Sequence, residues 1–345
     1  MKNSKQKAYR VDVHHHAIPP EVLKLFSDLG INKMGGVSIS PFDPNQTLKF
    51  MDHALIKTSV VCLSDVGSSF EEEENAVIIA KKSNQFYYQL RKSYNGRFGA
   101  FATLPLPYVE SSIDELKHAL DTLDLEGVMM LSNNNGVYLG DPSLDPIMKE
   151  LNKRKAVVCV HPSQSPGFQE SKTLKFPGFL LDFVFDTTRA ITNMVFNKTV
   201  KKYPNIKFIF AHMGGTAPYL MERIALGMLE SQHHTLSSEK MIDIATSVMS
   251  PVTIEETLTH VNKTLSSFYY DTALSSAPAT ISAVKRLAGV EHIVFGSDYK
   301  YAPEPVEKLS TRFLMDNPNI TEEDMKLIER NNALRLLPHL KDNLD

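Results

Sequence analysis

The sequence predicts a (β/α)₈ TIM barrel, on three observations. Eight short apolar runs recur along the 345 residues, each followed by a helical pattern, which calls for parallel strands covered by helices. Several of these runs end in histidine or aspartate, the placement by which a barrel gathers functional groups at its C-terminal mouth. An open doubly wound sheet would usually bring a Gly-rich phosphate turn after the first strand, and none stands there. Neither a fixed-period repeat nor a Ser/Gly-rich linker divides the chain, so residues 1–345 read as one barrel domain.

The first strand is Val11-Asp-Val-His-His-His16, an apolar alternation that delivers three histidines and breaks at Pro19-Pro20. Residues 17–43, with Gly30, Gly35, Gly36 and Pro41, read as a long irregular insertion over the mouth. A short helix over 45–56 precedes the second strand, 57–65. The helix at 71–94 opens with acidic residues and closes with Arg91 and Lys92, as the helix dipole favours. The third strand, 97–104, is closed by Pro105 and Pro107, and a helix at 111–123 leads to the fourth, 125–133. A helix at 142–154, the fifth strand Ala156–His161 and a helix over about 186–203 continue the rhythm. The sixth strand, Ile206–His212, runs into Met213-Gly214-Gly215. A helix at 217–230 is followed by a polar, helical excursion over 231–267. The seventh strand is Phe268–Asp271, with a helix at 278–287, and the eighth is His292–Asp298. Extra C-terminal helices fill 304–315 and 321–336.

With 37 basic and 40 acidic residues and a net charge of −3, the chain has no electrostatic pull toward nucleic acid or anionic membranes. No run approaches the length of a membrane span and no signal-type segment opens the chain, so the expected compartment is the cytoplasm. The two cysteines, Cys62 and Cys159, sit inside apolar runs as buried thiols rather than a disulfide framework. Any metal site must therefore be built from histidines and carboxylates.

Residues two apart on a strand share a face, so His14 and His16 point together while His15 points away. His161, His212, Asp271 and Asp298 stand at the ends of the fifth to eighth strands. Three imidazoles and a carboxylate in one mouth suit a single divalent cation with a position left for water or substrate. A bridged two-metal site would need a group such as a modified lysine at the mouth, and the fourth strand ends Met129-Met-Leu-Ser132 instead.

VDVHHH, VHPSQSPG around His161, FIFAHMGG around His212 and FGSDY around Asp298 resemble the metal-dependent amidohydrolase superfamily. The closest likeness is to its branch of aminocarboxymuconate-semialdehyde decarboxylase and hydroxybenzoate decarboxylases. DFVFDTTRAITNM at 182–194 looks most like the 6-methylsalicylate decarboxylases. The resemblance implies that His14, His16, His161 and Asp298 bind one divalent metal and that His212 is the acid/base beside it. It also implies a homodimer in which Arg223 reaches the neighbouring site to hold the substrate carboxylate. The sequence departs from the pattern in having no tryptophan and in carrying Lys300 after FGSDY, where an apolar residue or proline is usual.

The expected activity is decarboxylation of a small hydroxybenzoate-like or related unsaturated carboxylic acid, without an organic cofactor. Asp298 would relay a proton to the ring carbon, His212 would orient it or polarise water, and Arg223, with Arg189 as a second clamp, would hold the carboxylate. Three imidazoles favour Zn²⁺, and Mn²⁺ is the alternative. The rival readings are hydrolysis of an amide or lactone by the same metal site, and a degenerate barrel that binds a small acid without turning it over.

Overall fold

The computed structural model describes residues 8–34, 37–63, 72–167, 173, 176–231 and 251–343. Eight strands form one sheet in chain order: β1 (Arg10–His16), β2 (Ile56–Cys62), β3 (Phe98–Thr103), β4 (Gly127–Leu131), β5 (Val157–His161), β6 (Lys207–Phe210), β7 (Tyr269–Asp271) and β8 (Ile293–Val294). Every neighbouring pair is parallel. The sheet closes on itself where Val13 N–H donates to the Phe295 carbonyl at 3.0 Å and Asp298 N–H donates to the His14 carbonyl at 2.9 Å. Strands covered on both faces read as nearly continuous apolar runs, and β3, β4 and β5 are buried at every position.

Helices connect the strands. After β1 come α1 (Pro20–Asp28) and α2 (Pro44–His53), and after β2 comes α3 (Glu73–Ser93). α4 (Val109–Lys117) is extended by a π-turn at His118–Thr122, and α5 (Asp145–Arg154) ends at Lys155 in the left-handed conformation. α6 (Asp182–Phe196), α7 (Thr199–Lys202), α8 (Ala217–Ser231), α9 (Pro251–Ser266) and α10 (Pro278–Ala288) complete the ring. α11 (Glu304–Met315), α12 (Glu322–Lys326) and α13 (Asn332–Leu336) form the C-terminal extension. The extension is tied to the barrel by Arg10 to Glu329 at 2.8 Å and by Asn332 to the Val290 and Ile293 carbonyls.

Three expectations are corrected. Residues 17–43 are not irregular: Pro20 occupies the first turn of α1, Val22 and Phe26 bury one face four residues apart, and Lys33–Met34 pairs antiparallel with Val37–Ser38. Gly30, which follows α1 with φ of 76°, marks the end of that helix instead of a loop. The sixth and eighth strands are shorter than their apolar runs, because the backbone leaves the ladder before His212 and before Asp298. α6 begins earlier than the periodicity indicated, at Asp182, and stops at Phe196. Gly35, Gly36, Asp65 and most of the 231–267 excursion lie outside the described residues, with α9 the described part of that excursion. No helix among the described residues is long and apolar enough to cross a membrane.

Candidate metal centre

His14, His16, His161 and Asp298 are all buried and each offers a donor atom within 4.8 Å of the others. The Nε2 atoms of His14 and His16 stand 3.0 Å apart, and Asp298 Oδ1 is 3.0 Å from the latter and 3.4 Å from the former. Metal–donor bonds of about 2.0–2.2 Å place adjacent ligand atoms roughly 3.0–3.4 Å apart, depending on coordination number. The donor set therefore fits a divalent cation.

Two of the three outer ring nitrogens are committed: His14 Nδ1 pairs with Asp271 Oδ2 at 2.8 Å and His161 Nδ1 with the Pro162 carbonyl at 2.8 Å, while His16 Nδ1 lies 4.0 Å from Cys62 Sγ. Bonds of this kind fix the tautomer and turn Nε2 toward the ion. Burial opposes an imidazolium at His14, yet the Asp271 and Asp298 carboxylates outweigh it and raise its pKa well above the ordinary value. Burial lowers His16 to about 4 and holds His161 well below its ordinary value. Burial also opposes ionisation of Asp298, but His14 and His16 prevail and hold its carboxyl well below the usual range.

His212 stands beside this cluster, its ring centroid 5.2 Å from that of His14. Its Nδ1 pairs with the Ala273 carbonyl at 2.9 Å, which leaves Nε2 free to accept or deliver a proton. Both His212 and Asp298 have left-handed backbones, with φ of 53° and 57°. Non-glycine residues adopt that region rarely, and here it swings each side chain inward just after its strand. Gly215 makes the sixth-strand turn possible, since a Cβ there would lie 2.1 Å from the Val184 carbonyl. Gly296 lets the eighth strand approach the first, because a Cβ would lie 2.8 Å from that of His14.

Asp271, a candidate ligand from sequence, uses both oxygens as a holder. Oδ2 takes His14, while Oδ1 accepts the His212 and Ala273 N–H groups at 3.0 and 3.1 Å. His15 points away from the cluster and pairs with Asp12 Oδ2 at 2.9 Å. Arg189 is half exposed on α6, bonded to Ser165 Oγ at 2.7 Å and 3.7 Å from Asp186. Arg223 is exposed on α8. Neither arginine meets the cluster within the chain.

Two carboxylates escaped the sequence reading. Asp12 accepts from His14 N–H, His15, Ser59 and both the N–H and hydroxyl of Ser297, so it fastens the first strand to the eighth-strand turn. Its signal was present, since it shares strand parity with His14 and His16. Asp186 accepts from Ser132, Asn133, Tyr138 and Ser165 and knits together the segments after β4 and β5. Nothing local in the sequence distinguishes it from an ordinary helical aspartate.

A family model for amidohydrolases matches residues 11–339. The 6-methylsalicylic acid decarboxylase of Penicillium expansum is 29% identical over 347 residues, covering 97% of this chain and 98% of that protein. A crystal structure of an amidohydrolase II protein superposes with a TM-score of 0.83 at 26% identity, covering 95% of this chain and 99% of its own. The manganese complex of 5-carboxyvanillate decarboxylase from Novosphingobium aromaticivorans gives 0.78 at 18% identity, with 98% of each chain covered.

Proposed function

The chain belongs to the amidohydrolase family, and from that premise we propose that it is a metal-dependent carboxy-lyase acting on a small hydroxybenzoate-like or related unsaturated carboxylic acid. The observation that carries this reading is the convergence of His14, His16, His161 and Asp298 beside a histidine whose Nε2 is free. The Penicillium relative, a 6-methylsalicylic acid decarboxylase, supports the substrate class. A divalent ion held by these four residues would supply the Lewis acidity that fixes the substrate carboxylate and an ortho hydroxyl. The donor set favours zinc, and the manganese-bound neighbour supports manganese as the alternative. The buried free thiols of Cys62 and Cys159 support a reducing, cytoplasmic setting.

In this scheme Asp298, ionised at rest, takes a proton from water by way of His212 and relays it to the ring carbon that bears the carboxylate. The carbon–carbon bond breaks, its electron pair stays on the ring carbon and takes up that proton, and the carboxylate departs as CO₂. His212, oriented through Nδ1 by the Ala273 carbonyl, polarises water and restores the proton through Nε2. Arg189, bonded to Ser165 Oγ at 2.7 Å, is proposed as a second clamp on the substrate carboxylate. The test is a panel of hydroxybenzoates, amides and lactones on metal-loaded protein. CO₂ release from the acids is the expected result, and ring opening or amide cleavage in its place supports a hydrolase.

Arg223, exposed on its own chain, is proposed to complete the partner's site in a two-fold dimer. Arg223→Ala and His212→Asn proteins are then each nearly inactive alone. After subunit exchange about half the dimers are mixed and carry one complete site of two, so about a quarter of wild-type activity returns. Activity that stays at the sum of the two variants, with exchange verified, removes Arg223 from the neighbouring site.

A further inference from the structure

A cavity of about 250 Å³ opens beside His16, between the segment 37–47 and the turn that follows Asp298. Its size is near the lower end of small-molecule pockets, about 300 Å³. His16 is part of its lining, Tyr301 lies edge-on to that imidazole at 5.0 Å, and Ser40, Gln46 and Thr47 are among the polar residues that line it. Lys300 is the one lysine or arginine among the described residues that line it. Among the described residues no carboxylate lies within 4.0 Å of its ammonium.

An internal ion pair is the plainest competing role for Lys300, and Asp43, the cavity's carboxylate, is its natural partner. The two do not pair: Asp43 instead caps α2 through Oδ1, which accepts the Asn45 and Gln46 N–H groups at 2.9 and 3.2 Å. The root of Lys300 is also fixed. Tyr299 stacks on Phe50 at 3.9 Å, its carbonyl accepts His16 N–H at 2.7 Å, and Ala302 N–H donates to the Asp298 carbonyl at 2.7 Å. An exposed cation on an anchored turn, lining the same cavity as a metal-site histidine and the polar side chains of Ser40, Gln46 and Thr47, is available to receive an anion.

We propose that this cavity is an anion subsite in which Lys300 binds a second carboxylate on the substrate, so that the preferred substrates are dianionic ring acids. The identity of the ring acid rests on the decarboxylase reading, whereas the anion site itself does not. Calorimetry on metal-loaded protein compares isophthalate with benzoate, and turnover compares 4-hydroxyisophthalate with 2-hydroxybenzoate. The wild type is expected to favour the diacid by about ten- to a hundredfold in both, the range of a charge-assisted bond. Lys300→Met should bring both ratios to near one, and Lys300→Arg should keep most of the preference. A wild type without preference, a ratio that survives in Lys300→Met, or an arginine variant as indifferent as the methionine one each overturns the proposal. If no acid is turned over while isophthalate binding still depends on Lys300, the decarboxylase reading fails and the subsite stands.

Discussion

A His212→Asn protein is expected to retain its metal and bind substrate, yet turn over at least about a hundredfold more slowly, the scale on which a positioned acid/base acts. Asparagine can still donate to the Ala273 carbonyl, so the turn that places residue 212 keeps its anchor. What it lacks is a titratable nitrogen where Nε2 stood. The backbone N–H that binds Asp271 is untouched, so Asp271 continues to hold His14. Measuring kcat beside metal content separates the two effects. Near-normal turnover with full metal would remove His212 from the chemistry.

Replacing His14 or His161 with alanine is expected to yield folded protein that has lost most of its metal, and with it essentially all activity. Each removes one of four donors and strands a partner: the Asp271 carboxylate in the first case, the Pro162 carbonyl in the second. His15→Ala is the control on the same strand. It removes contacts with Phe50, Tyr299 and Asp12, at a cost on the order of 1–3 kcal/mol in stability, but leaves the donor set whole. Elemental analysis therefore separates the three proteins, with metal lost from the His14 and His161 variants and kept in His15→Ala, whose cost shows in thermal melting alone. Equal metal loss in all three contradicts the division of β1 into two faces.

The barrel was legible in the sequence because fully buried parallel strands write themselves as apolar runs, and eight of them alternate with helices. The donors on β1 were legible for a similar reason, since strand parity alone puts His14 with His16 and turns His15 away. The manner in which His212 and Asp298 reach the centre was not. Both appear in sequence as the last residues of apolar runs, whereas the structure takes the backbone out of the ladder first and aims each side chain from a left-handed residue. Only Gly214-Gly215 and Gly296, small where the chain must approach another element, hint at those turns. Asp12 and Asp186 stayed hidden for a further reason. Their partners are distant in sequence, and a buried carboxylate with several donors looks in one dimension like a solvated one.

The most direct test of the proposed chemistry is the reaction of metal-loaded protein with a hydroxybenzoate in heavy water, followed by mass and NMR analysis of the product. The account predicts one equivalent of CO₂ and a phenol that carries a single deuterium at the carbon vacated by the carboxylate, with no label elsewhere on the ring. A product that retains its carboxylate after an amide or lactone bond has been cleaved, or a decarboxylated ring without deuterium at that carbon, would contradict it.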